Sequence, residues 1–129
     1  MIKKYILRNH YLHTIKPYIH TNIIKVIVGQ RRVGKSYFLY QVMDEIKKID
    51  KGANIIYINK ELYEFDRIED YHDLKTYVEN KSSKKEKNYV FIDEIQEIDQ
   101  FEKTIRDFGT RANYDTYCTG SNSNLLSSD

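Results

Sequence analysis

The chain has 129 residues, 40% of them hydrophobic and 31% charged, with a formal net charge of +2. That content suits one globular domain with one core and excludes disorder, while the near balance of charge gives no global pull toward nucleic acid or an anionic membrane. No apolar run approaches a membrane span, the polar start (Lys3, Lys4, Arg8, Asn9, His10) lacks a secretory core, and a lone Cys118 forbids an internal disulfide, so the cytoplasm is the expected compartment.

Residues 5–20 read as helical, broken near Pro17, with His10, His13 and His20 scattered among tyrosines. No cysteine or paired-acid spacing supports a metal site there. Residues 1–22 are therefore expected as an N-terminal helical segment and 23–129 as the core. Ile23–Val28, mostly β-branched and bounded by Asn22 and Gly29, is the first strand signal. Gly29 to Ser36 then reads GQRRVGKS, a complete G-x-x-x-x-G-K-[ST] phosphate loop, and Phe38, Leu39, Val42, Met43, Ile46 and Ile49 follow at helical spacing. Strand, glycine loop and helix is the context this motif requires.

Phosphate oxygens need several donors converging on a small volume. The backbone amides of Arg32, Val33, Gly34, Lys35 and Ser36 supply them if the chain wraps tightly, which Gly29 and Gly34 permit at a helix N-terminus. Lys35 is suited to reach the β and γ phosphates as a point charge, and the Ser36 hydroxyl to ligate Mg2+. Arg31 and Arg32 are open between a phosphate or partner contact and a solvated basic pair.

After the turn at Lys51-Gly52, Ile55–Asn59 is a second strand; Tyr71, Leu74 and Val78 mark a helix face, and 80–88 is a polar, basic connection. Tyr89–Ile92 is a buried-strand run ending in Asp93-Glu94-Ile95-Gln96. Ligands of parallel α/β sheets bind beyond the carboxyl ends of the strands, so both acids are expected beside the phosphate loop. Asp93 suits the Mg2+ hydration shell, and Glu94 suits polarising the attacking water. Ile98, Phe101, Ile105 and Phe108 form a core seam on the next helix, and Asp115–Thr119 is a further strand broken by Gly120-Ser121-Asn122-Ser123. If that strand lies between the two motif strands, Ser121 or Asn122 can bond the γ phosphate or the water; the same residues equally suit a turn and N-cap ahead of Leu125 and Leu126.

GQRRVGKS, YVFIDEIQ and TGSNSNLLSS together resemble the prokaryotic AAA-type ATPases that carry a phosphate-loop domain followed by a separate C-terminal domain of unknown function. The lead-in through Tyr11-Leu12 and Ile15–Ile19 to Ile24–Ile27 is similar to that family as well. The resemblance implies an α/β, three-layer, mostly parallel P-loop sheet, ATP with Mg2+, Lys35 and Ser36 at the phosphates, Asp93 at the metal, Glu94 as base and Ser121 or Asn122 as polar sensor. Family members continue through another helix and a fifth strand beside the first, then into the further domain, whereas this sequence ends at Asp129. The sheet is therefore expected to be incomplete at its C-terminal edge, with Ile23–Val28 exposed as an edge strand and a second copy, another protein or sequence not present here completing it. An arginine finger, worth about 10^3 to 10^5 in rate, is not assigned to any residue.

Other nucleotide classes fit less well. Asp93 is not followed by the D-x-x-G of a GTPase, Asn59-Lys60-Glu61-Leu62 lacks the Asp of a guanine-reading motif, and Gly29 and Gly34 do not give a dinucleotide fingerprint. An acid pair closing the metal strand points to water more than to an acceptor hydroxyl. Two classes stand: an ATP hydrolase driving movement of another domain or subunit, and a nucleotide-dependent binding module with little or no turnover.

Overall fold

The computed structural model describes residues 4–7, 12–29 and 34–121. Of the anticipated site residues, Arg32, Val33 and Asn122 lie outside them, as do Arg31, Leu125 and Leu126. Apolar and β-branched runs form five strands: β1 (Lys4–Leu7), β2 (Ile24–Val28), β3 (Asn54–Asn59), β4 (Asn88–Asp93) and β5 (Tyr114–Gly120). They make one sheet in the order β1-β2-β5-β4-β3, and every pairing is parallel. Parallel neighbours need long crossovers, and the periodic segments supply them as helices. These are α1 (Leu12–Ile15), α2 (Lys35–Ile49), α3 (Tyr71–Lys81) and α4 (Phe101–Phe108).

Pleating sorts the strand residues between two cores. Ile27, Tyr89, Phe91 and Tyr117 pack with Phe38, Leu39, Val42 and Ile46 of α2 and with Ile15 and Ile19. On the opposite face Val26, Ile58, Val90, Ile92 and Cys118 meet Leu74 and Val78 of α3 and Ile105 and Phe108 of α4. The result is the expected three-layer α/β architecture. The start of α3 follows local chemistry: Asp70 accepts from the Asp73 amide at 3.0 Å, and the Asp73 carboxylate accepts in return from the Asp70 amide. Ile98, expected on the fourth helix, is buried just ahead of it.

Two expectations are corrected. The segment from residue 5 to 20 is not helical throughout: Lys4–Leu7 is a strand, and among the described residues a short α1 and a 3-10 turn at Lys16–Tyr18 follow it. Pairing with an open sheet neighbour outweighs helical preference in so short a run. Consequently β2 is not an edge strand. Lys4 through Leu7 pair with Ile24 through Ile27 on one side, and β5 covers the other. The outer strands are β1 and β3, which removes the reason for a partner along Ile23–Val28. Among the described residues no helix is long and apolar enough to cross a membrane.

Candidate nucleotide site

The chain runs from β2 outward to β3, returns through β4, and inserts β5 beside β2. The strand order therefore reverses at β2 and β5, and a crevice opens beyond their carboxyl ends. Three of the predicted motifs meet there because β5 does lie between the two motif strands. The Gly29 amide donates to the Gly120 carbonyl at 3.2 Å, tying the start of the phosphate loop to the end of β5. Gly34 precedes α2 with φ of 85°, and a Cβ there would meet nothing within 4 Å. Glycine is required at this point by backbone conformation and not by space.

Lys35 and Ser36 open α2 and aim at different acids. The Lys35 ammonium donates to the Gly29 carbonyl at 2.9 Å and to Ser121 Oγ at 3.2 Å, and lies 3.0 Å from Glu94 Oε2. Ser36 Oγ donates to Asp93 Oδ2. Asp93 ends β4, and its Oδ1 accepts from the Thr119 hydroxyl, which itself accepts from the Glu94 amide at 2.9 Å. Glu94 turns the chain with φ of 59° and ψ of 55°, a left-handed conformation that non-glycine residues seldom adopt. Its Oε1 accepts from Ser121 Oγ and from Gln96 Nε2, each at 2.6 Å. Gly34, Lys35, Ser36, Tyr37, Glu61 and Glu94 line a cavity of about 160 Å³.

The electrostatics follow from these contacts. Burial pushes the Glu94 carboxyl up, but hydrogen bonds from Gln96, Ser121 and Lys35 and the charge of Lys35 outweigh it, leaving the group below its ordinary value. The anionic form of Glu94 is thus favoured by these contacts. Ser36 Oγ and the Asp93 carboxylate form a small set of hard oxygen donors, which fits Mg2+, a cation that keeps most of its own waters.

Gly29, Gly34, Lys35, Ser36, Asp93, Glu94 and Ser121 all reach this one crevice. Thr119 and Gln96 join them and were given no role from the sequence. Thr119 was within reach of a pleat argument: Tyr89, Phe91 and Asp93 alternate on β4 as Asp115, Tyr117 and Thr119 do on β5, so each row ends in a polar group at the crevice. For Gln96 no such signal exists, because its contact depends on the left-handed turn at Glu94.

A family model described as an AAA domain matches residues 21–129. The chain belongs to the AAA-domain family. Its sheet and crevice are those of an ATPase-type nucleotide-binding module. An uncharacterized protein of Haemophilus influenzae is 37% identical over 131 residues, covering 100% of this chain and 33% of that protein. Uncharacterized protein MJ1544 of Methanocaldococcus jannaschii is 36% identical over 110 residues, covering 84% of this chain and 23% of the relative. The chain therefore spans a third or less of the length of these relatives. No solved structure matches it.

Proposed function

We propose that this AAA domain binds ATP with Mg2+ and hydrolyses the bond between its β and γ phosphates. One observation carries the reading: Lys35, at the mouth of the glycine loop, is 3.0 Å from Glu94, while the adjacent Ser36 hydroxyl bonds the adjacent Asp93. Two motifs more than fifty residues apart in sequence thus converge as two neighbouring pairs on one crevice.

Each residue then has a task set by its chemistry. The backbone amides at the start of α2 donate to phosphate oxygens, with Arg32 and Val33 of the loop contributing theirs. Lys35 exchanges Glu94 for the β and γ phosphates, which offer more charge than a single carboxylate. Ser36 and Asp93 hold Mg2+, which supplies charge neutralisation at the phosphates when bound. Glu94 takes a proton from water as its oxygen attacks the γ phosphorus; the bond from that phosphorus to the bridging oxygen breaks, and ADP and phosphate leave. Ser121, with Asn122 beside it in sequence, provides the polar contact that registers the γ phosphate.

The test measures MgATP binding and phosphate release on one preparation. In Glu94→Gln, binding is retained and release falls by about 10^2- to 10^4-fold, the usual contribution of a general base. Unchanged release in that variant removes Glu94 from the chemistry, and binding without release by the parent protein refutes hydrolysis.

A further inference from the structure

The two oxygens of Glu94 are held in different ways, and the difference has a use. Among the described residues Oε2 faces the Lys35 ammonium alone, whereas Oε1 accepts from both Ser121 Oγ and Gln96 Nε2. Gln96 reaches Oε1 because Glu94 is left-handed and residues Ile95–Glu97 coil back in a 3-10 turn. The orientation of its amide is fixed by chemistry: an ionised carboxylate only accepts, so the NH2 group must face it.

That orientation has a cost. The Gln96 carbonyl oxygen is buried without a hydrogen-bond partner among the described residues. A buried acceptor left unpaired destabilises a fold. Packing alone would favour an apolar side chain of similar shape, such as Met, in which no acceptor is stranded. The Gln96 amide thus serves the carboxylate with one end while its other end is left unpaired among the described residues.

Resting on the hydrolase reading above, we infer that Gln96 is a positioning residue: with Ser121 it anchors Oε1 of Glu94, so that Oε2 is the oxygen presented to the attacking water. When Lys35 turns to the phosphates Oε2 loses its partner, and when Ser121 turns its one hydroxyl proton to the γ phosphate Oε1 keeps Gln96. The carboxylate is then pinned at one oxygen and free at the other, the arrangement a general base needs to meet water at one defined angle. Ser121 cannot do this alone, since its single hydroxyl proton is the one that the proposed γ-phosphate contact requires.

The test compares Gln96→Met and Gln96→Glu with the parent protein by melting, MgATP affinity, and separate measurement of kcat and KM. Gln96→Met is expected to melt at the same temperature or higher, to keep affinity and KM, and to lose about 10- to 100-fold in kcat, the scale of a misplaced reacting group. Gln96→Glu keeps the shape but sets a second anion against Glu94, and kcat falls at least as far. A Gln96→Met protein with unchanged kcat, or one whose loss comes entirely with lower stability and raised KM, overturns the inference. Glu94→Gln in the same assay separates the two levels. Loss there with none in Gln96→Met refutes only the positioning role, and no loss in Glu94→Gln refutes the hydrolase reading and this inference with it.

Discussion

Two buried lysine–carboxylate pairs lie beneath α2 at opposite ends of the sheet, and their surroundings differ more than their chemistry. At the amino end, Lys25 pairs with Asp115, both with no side-chain exposure. Lys25 also donates to the Thr21 carbonyl at 2.9 Å and stands 4.9 Å from the centroid of the Tyr117 ring. Asp115 Oδ2 accepts from the His20 amide and the Tyr117 hydroxyl, both at 2.8 Å. Nearby, the Tyr89 hydroxyl bonds Asp50 and the His20 ring. Burial holds the Lys25 ammonium below its ordinary pKa even against the attraction of Asp115, and burial followed by the charge of Asp115 pushes the Tyr117 hydroxyl up. At the carboxyl end, Lys35 and Glu94 are nearly as buried but border a cavity of about 160 Å³. A stack of Phe91 on Tyr117, with centroids 4.6 Å apart, lies between the two polar ends. The sealed pair has no side-chain exposure and ties residues 20–25 to the sheet. The pair on the cavity has partners that a ligand can replace.

The largest effect is expected from breaking the sealed pair. Lys25→Met leaves the Asp115 carboxylate buried with no counter-charge, which costs about 3–5 kcal/mol of stability in chemical denaturation. Adding Asp115→Asn removes the stranded charge and recovers most of that loss, while MgATP affinity of the folded protein stays at the parent value. A single variant that loses less than about 1 kcal/mol, as exposed pairs do, contradicts a sealed network.

Lys35→Ala should reverse the pattern. Glu94 keeps the donors Gln96 and Ser121 and faces a cavity that admits water, so stability changes less than in Lys25→Met. Nucleotide binding instead loses one charge-assisted contact, about 1.5–3 kcal/mol. Calorimetric titration with MgATP checks this, and parent-like affinity in Lys35→Ala removes the phosphate assignment and with it the contrast between the two ends.

How much of this was legible depends on how local each feature is. The glycine loop and the acid pair are contiguous motifs whose spacing encodes backbone needs, so GQRRVGKS and Asp93-Glu94 pointed to the crevice directly. Strands β2 to β5 and helices α2 to α4 followed from apolar periodicity, with ends displaced by a residue or a few. What escaped is nonlocal. Lys4–Leu7 carries too short a pattern to declare a strand, and its pairing depends on β2 having an open side. Nothing local in the sequence links Lys25 to Asp115, since their contact arises only when β5 inserts beside β2. Gln96 waits on a left-handed turn that no residue in DEIQ advertises.

Thr119 offers the finest test of how the carboxyl end is held together. Its hydroxyl donates to Asp93 Oδ1 and accepts from the Glu94 amide, so one oxygen on β5 aligns both acids of β4. Valine has nearly the same shape without the hydroxyl, so packing is preserved while a buried carboxylate oxygen loses a donor and a buried amide its acceptor. Thr119→Val should lower stability by about 1–3 kcal/mol. It should also weaken the Mg2+ dependence of ATP binding, because Asp93 loses the bond that fixes its rotation opposite Ser36. Thr119→Ser restores the hydroxyl and with it both properties. A Val variant that matches the parent in denaturation and in magnesium titration would mean that Asp93 is positioned by Ser36 alone, and the carboxyl end would then be looser than the sealed network it is set against.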